Sequence, residues 1–90
     1  MSAKVILIQF TLYSRTYCHL CDDMLTALQA LAISDEFAIT VLDVDADEAL
    51  VAQYDELVPV LLASKDGAAA QRLCHYFLDE AAVRAFIAGS

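Results

Sequence analysis

Glycine is scarce in this sequence, two residues in 90, and proline occurs once, at Pro59. Special backbone conformations therefore have few places to occur, so Pro59 and Gly67 each carry positional information. Basic side chains are also scarce: five Lys and Arg stand against thirteen Asp and Glu, a formal net charge of −8. No nucleic acid and no membrane partner is expected, because nucleic acid and anionic lipid both demand a basic face. The apolar run Val5–Phe10 is too short to span a bilayer. It lacks a leader's layout too, with Lys4 its only preceding charge and no small-x-small site in Thr11–Arg15. A buried strand accounts for it better. Three cysteines, two of them three positions apart, do not make a secreted disulfide framework, so a reducing, cytoplasmic setting is expected.

What is present is apolar. At 60% hydrophobic and 20% charged residues, the composition is that of a folded domain and not of a disordered segment. Ninety residues suffice for one domain and not for two, so a single unit over 1–90 is expected. Lys4–Tyr13 is β-favouring throughout. From Cys18 onward Leu20, Met24, Leu25, Leu28 and Leu31 recur at helical spacing, to about Ala32 or Ile33. Phe37–Val44 reads as a second strand. Asp45 and Glu48 form a capping box for a helix through Leu50, Val51 and Tyr54. Val58–Ala63 is a third strand, Lys65-Asp66-Gly67 a turn, and Ala70–Phe77 a fourth strand. Asp79 caps a last helix through Val83, Phe86 and Ile87, closed by Gly89. The order is β-α-β-α-β-β-α, an α/β fold with a mixed four-stranded sheet covered by helices on both faces.

The pair Cys18-His19-Leu20-Cys21 falls where the first strand has ended and the first helix begins. Free N–H groups and the positive end of the helix dipole stabilise a thiolate there, making Cys18 the expected nucleophile. Cys21, one turn on, is placed to resolve a mixed disulfide. Arg15 and a protonated His19 would favour the thiolate, whereas Asp22 and Asp23 oppose a second negative charge. Two incidental core thiols explain the pair poorly, because both sit at the helix start and not on its apolar stripe. A Cys3His zinc set from Cys18, Cys21, Cys74 and His19 or His75 is the sharper alternative. It is disfavoured because Cys74 and His75 are strand neighbours and point to opposite faces. Cys74 itself reads as a small buried hydrophobe. Pro59 tolerates its missing N–H at a strand start, or else marks a cis Val58–Pro59 bond.

Tyr13–Cys21 with Cys18-His19-Leu20-Cys21-Asp22, then Asp43-Val44-Asp45 and Val58-Pro59-Val60, resembles the glutaredoxin-like branch of the thioredoxin superfamily, notably its small bacterial members. The resemblance spans essentially the whole chain. It implies a thioredoxin-like fold with a cis Pro59 beside a redox-active Cys18–Cys21 disulfide. It also implies that the Val58 backbone pairs with a bound peptide or glutathione, and that Arg15 meets a glutathione carboxylate. The chain departs from glutaredoxins at His19-Leu20, where they carry Pro-Tyr. It departs again at Cys74–Asp79, where they place paired glycines that let a backbone approach closely. The resulting expectation is a monomeric thiol–disulfide oxidoreductase acting on a protein or low-molecular-weight disulfide. No tightly bound cofactor is expected, and glutathione is a possible co-substrate. A non-catalytic binding module and a metal or iron–sulfur carrier are the alternatives.

Overall fold

The computed structural model describes residues 8–31, 37–54, 56–65 and 68–88. Strand β1 (Ile8–Ser14) leads to helix α1 (His19–Leu31) and strand β2 (Phe37–Asp43). A 3₁₀ turn (Val44–Ala46) and helix α2 (Glu48–Tyr54) follow. Strands β3 (Val60–Lys65) and β4 (Gln71–His75) and helix α3 (Glu80–Ala88) complete the chain. The sheet order is β2-β1-β3-β4. β1 is parallel to β2, as a helical crossover requires, while β1–β3 and β3–β4 are antiparallel. The expected α/β architecture is the observed one.

Alternation in β1 puts Ile8, Phe10 and Leu12 on one face of the sheet. In register beside them stand Leu61 and Ala63 of β3. Met24 and Leu28 of α1 and Val83 of α3 close over this face, with Phe86 and Ile87 at its margin. The opposite face is smaller. There Val44, Val60 and Tyr54 are buried together with Tyr13 and Leu62 packed beside them. Tyr54 of α2 stacks on Tyr13 with ring centroids 4.7 Å apart. Two helices therefore cover one face and α2 the other, the arrangement expected for a sheet apolar on both sides. Burying each large side chain contributes roughly 1.5–3 kcal/mol, so the α1/α3 face supplies most of the stabilisation.

Local chemistry moves several boundaries. β2 ends at Asp43, one residue early, because the Asp43 carboxylate accepts from the Asp45 N–H at 2.9 Å and turns the chain. Asp45 is not the cap of α2. Asp47 is, its Oδ1 accepting from the Ala49 N–H at 2.8 Å, while Arg15 takes the Asp45 carboxylate. β3 starts at Val60, after the proline. β4 stops at His75 because Tyr76 adopts φ 64°, which no strand accommodates. Asp79 does cap α3, accepting from the Ala82 N–H at 3.0 Å. The expected turn residues Asp66 and Gly67, the first strand's start at Lys4, the helix end at Ala32 or Ile33, and Gly89 lie outside the described residues. No helix among the described residues is long and apolar enough to cross a membrane.

Candidate functional site

Register brings four chain segments to one end of the sheet. Ser14, the last residue of β1, faces Asp43 at the end of β2. Tyr13 faces Val60 at the start of β3, and Val60 faces His75 at the end of β4. The loop into α1, the 3₁₀ turn, Val58-Pro59 and the exit from β4 are therefore neighbours. Each of the residues expected to form a site lies at this end.

Cys18 occupies the N-cap position of α1. Its carbonyl accepts the first helical bond from the Asp22 N–H at 3.1 Å. Its sulfur accepts from the Cys21 N–H, also at 3.1 Å. A Ser or Asp oxygen does the same at an ordinary helix start. Here the acceptor is sulfur, so the same N–H and the helix dipole favour a thiolate at Cys18. Cys18 and Cys21 are joined as a disulfide with Cα atoms 5.2 Å apart.

The two cysteines differ sharply in access. Cys18 is half-buried, whereas Cys21 is 3% exposed. Contrary to expectation, Cys21 belongs to the apolar stripe of α1, opening the buried series Cys21, Met24, Leu28. Its three- and four-residue spacing to those positions supplied the signal. Cys18 is thus the more accessible residue of the pair, with Cys21 behind it.

His19 is the first residue of α1 and is exposed. Arg15 forks onto Asp45, with Nε and Nη2 each 2.9 Å from a carboxylate oxygen. Its positive charge is thus offset by a carboxylate 30 positions on, a partner the sequence did not indicate. The pair ties the loop before α1 to the 3₁₀ turn.

The Val58–Pro59 peptide bond is cis. Pro59 is fully buried, and its carbonyl accepts from the Tyr76 N–H at 2.9 Å. Val58 stands two residues ahead of the first pair in the β1–β3 ladder. Tyr76 is held further by its hydroxyl, which donates to the Glu56 carbonyl at 2.6 Å.

Three residues at this end were not among the expected site residues: Tyr17, Tyr76 and Phe77, which are 99%, 40% and 69% exposed. Tyr17 lies in a loop where periodicity says nothing, and Tyr76-Phe77 looked like the end of a strand. Both tyrosines have positive φ, 60° and 64°. For a bulky residue that conformation costs roughly 1–2 kcal/mol, and such strain clusters at functional sites.

Cys74 stands apart from the disulfide. It is half-buried against the α1/α3 core. Burial pushes its thiol up; the Asp79 N–H opposes this by bonding the sulfur, and the Asp79 charge adds to it. His75 is exposed with its ring edge-on to Tyr76. Among the described residues no three His, Cys, Asp or Glu side chains come together as a metal-ligand set.

Comparison with known proteins points the same way as the geometry. The glutaredoxin-like domain family (DUF836) matches residues 9–88. Protein Ne2328 from Nitrosomonas europaea, a solution structure, is similar over 96% of this chain and 98% of its own, with 35% identity and a TM-score of 0.79. A thioredoxin variant from Halobacterium salinarum is 25% identical over 89% of this chain and 71% of its own, TM-score 0.67. Thioredoxin from Fasciola hepatica, at 24% identity over 90% of this chain and 78% of its own, shares the fold with a TM-score of 0.66. No protein of curated function matches the sequence.

Proposed function

The chain belongs to the glutaredoxin-like domain family of the thioredoxin superfamily, and from that premise we propose that it is a thiol–disulfide oxidoreductase working through Cys18 and Cys21. One observation carries the reading. The more exposed cysteine of the pair is the helix cap whose sulfur receives the Cys21 N–H, and its partner is buried one turn behind.

In the reducing direction the Cys18 thiolate attacks one sulfur of a protein or low-molecular-weight disulfide. That disulfide breaks, its second sulfur leaves as a thiolate and takes a proton from water, and Cys18 is left in a mixed disulfide. Cys21 then loses its proton and attacks Cys18 Sγ. The Cys18–Cys21 bond forms, and the partner's first sulfur leaves as a thiol. Two electrons pass from the dithiol to the partner. A protein dithiol or two molecules of a glutathione-type thiol return them by the reverse exchange. The cis Val58-Pro59 segment, at the same end of the sheet, is the backbone against which a partner lies. The setting proposed is a monomer in a reducing cytoplasm.

Two variants test this in an insulin-reduction assay followed by intact mass. Cys18→Ser is expected to abolish turnover. Cys21→Ser is expected to stop after the first step and accumulate a mixed disulfide at Cys18. Full reductase activity in Cys18→Ser would refute the assignment.

A further inference from the structure

Charge is unevenly distributed among the described residues, and the distribution describes the partner. Of the five basic residues, Lys4 lies outside the described residues. Lys65 pairs in register with Ile8 at the far end of the sheet, its Nζ 4.8 Å from the Phe86 ring centroid. Arg84, midway along α3, lines a depression with Leu31 and Phe37 and has its charge offset by Glu80. Arg72 lines a depression with Lys65 and Phe86. Only Arg15 among the described basic residues stands at the disulfide end, and its charge is offset by Asp45.

Asp35, Glu36, Asp55 and Asp66 lie outside the described residues, and the carboxylates that are described follow the opposite pattern. Asp22 and Asp23 are exposed on α1 just beyond Cys21. Asp43, Asp45 and Asp47 surround the 3₁₀ turn, and Glu56 lies in the turn bonded by Tyr76. His19 and His75 are at this end too. Even with both protonated, six carboxylates would face three cations, namely Arg15 and the two histidines. Exposed apolar side chains share this end with the acidic rim. Tyr17 and Phe77 are largely exposed, and Leu20 and Tyr76 partly so. Exposed aromatic side chains beside a reactive group are a feature of protein-binding surfaces.

Building on the redox reading above, we infer that the partner of Cys18–Cys21 is a cationic polypeptide, with Lys or Arg flanking its cysteine and an apolar side chain next to it. Charge complementarity selects this occupant. A field of one sign around a reactive centre raises encounter with opposite charges by about 10- to 1000-fold and repels like charges. Oxidised glutathione carries net negative charge and few apolar atoms, so it meets the rim unfavourably and gains little from Tyr17 and Phe77. The apolar side chain of a peptide buries area there that a small anion lacks.

The test compares three peptide disulfides of equal length, each with a Leu beside the cysteine, flanked by two Lys, two Ser or two Glu. Oxidised glutathione is run as a fourth substrate. Reduction is followed with the dithiol form of the protein at about 20 mM and about 500 mM ionic strength, where the screening length falls from about 20 Å to about 4 Å. The Lys peptide is expected to exceed the Glu peptide at least about tenfold in second-order rate constant at low salt. That ratio should shrink to within about twofold at high salt. The double variant Asp23→Lys, Glu56→Lys should lower the low-salt ratio several-fold, a readout that cancels any change in intrinsic Cys18 reactivity. Equal rates for the Lys and Glu peptides at low salt, or a preference for Glu or for glutathione, would overturn the inference while leaving the redox reading intact. Failure to reduce even the Ser peptide would overturn both.

Discussion

Tyr17 offers a direct test of whether backbone strain at the site is maintained for binding. Its φ of 60° places Cβ against the following carbonyl, at a cost of roughly 1–2 kcal/mol that glycine escapes. Glycine also gives the unfolded chain more freedom, which opposes the gain by roughly 0.5–1 kcal/mol. The side chain is 99% exposed, so its removal forfeits no packing. The difference leaves Tyr17→Gly more stable by about 0.5–1 kcal/mol, or roughly 2–8 °C in Tm for a domain of this size. Tyr17→Ala separates the causes: it deletes the same ring but keeps Cβ, so it should not share the stabilisation. Thermal unfolding of the oxidised forms measures both. If Tyr17 also seats an apolar partner, each variant should raise KM for the Lys-flanked peptide whatever its effect on Tm. A Tyr17→Gly protein no more stable than Tyr17→Ala would refute the strain argument, and an unchanged KM in both would refute the binding role.

Other outcomes follow from particular contacts. Leu28→Ala removes a fully buried side chain between α1 and the sheet and should cost about 2–5 kcal/mol by denaturant unfolding, with little change in the rate at Cys18 if the helix start is undisturbed. Asp79→Ala deletes the cap of α3 and should cost about 1 kcal/mol; because the Asp79 charge also disfavours the Cys74 thiolate, Cys74 should alkylate faster in this variant. In the unmodified protein the Cys74 thiol is raised chiefly by burial, so the folded state holds that proton more tightly than the unfolded chain does. Its contribution to stability is complete below about pH 9 and is lost as pH rises through the folded value. Iodoacetamide labelling at pH 7 should accordingly leave Cys74 largely unreacted, and rapid labelling of the folded protein would contradict its burial.

Much of the fold was legible because it depends on neighbours in sequence. The β-favouring run up to Tyr13 and the helical spacing of Met24, Leu25, Leu28 and Leu31 each report a buried element at short range. The errors arose where one residue had two suitable partners. Asp45 and Glu48 satisfy the capping-box pattern, yet Asp47 makes the cap, because Arg15 reaches across 30 positions to hold Asp45. Tyr76 and Phe77 have strand propensity, but the bonds from Tyr76 to Pro59 and Glu56 hold a backbone that leaves the strand. Propensity could not register either contact.

The disulfide site divides along the same line. Sequence by itself determined that two cysteines one helical turn apart follow a strand, and therefore which sulfur receives the helix N-terminus. It also determined the net charge of −8. Only the tertiary structure decided that Cys21 lies in the core while Cys18 does not, because burial depends on what the sheet and the other helices bring against α1. Only the tertiary structure decided where the charge sits: strand register sends Lys65 to one end and gathers Asp43, Asp45 and Asp47 at the other. Helix starts are local, written in a few consecutive residues. Exposure and electrostatic field are sums over the whole fold, and no short stretch of chain contains them.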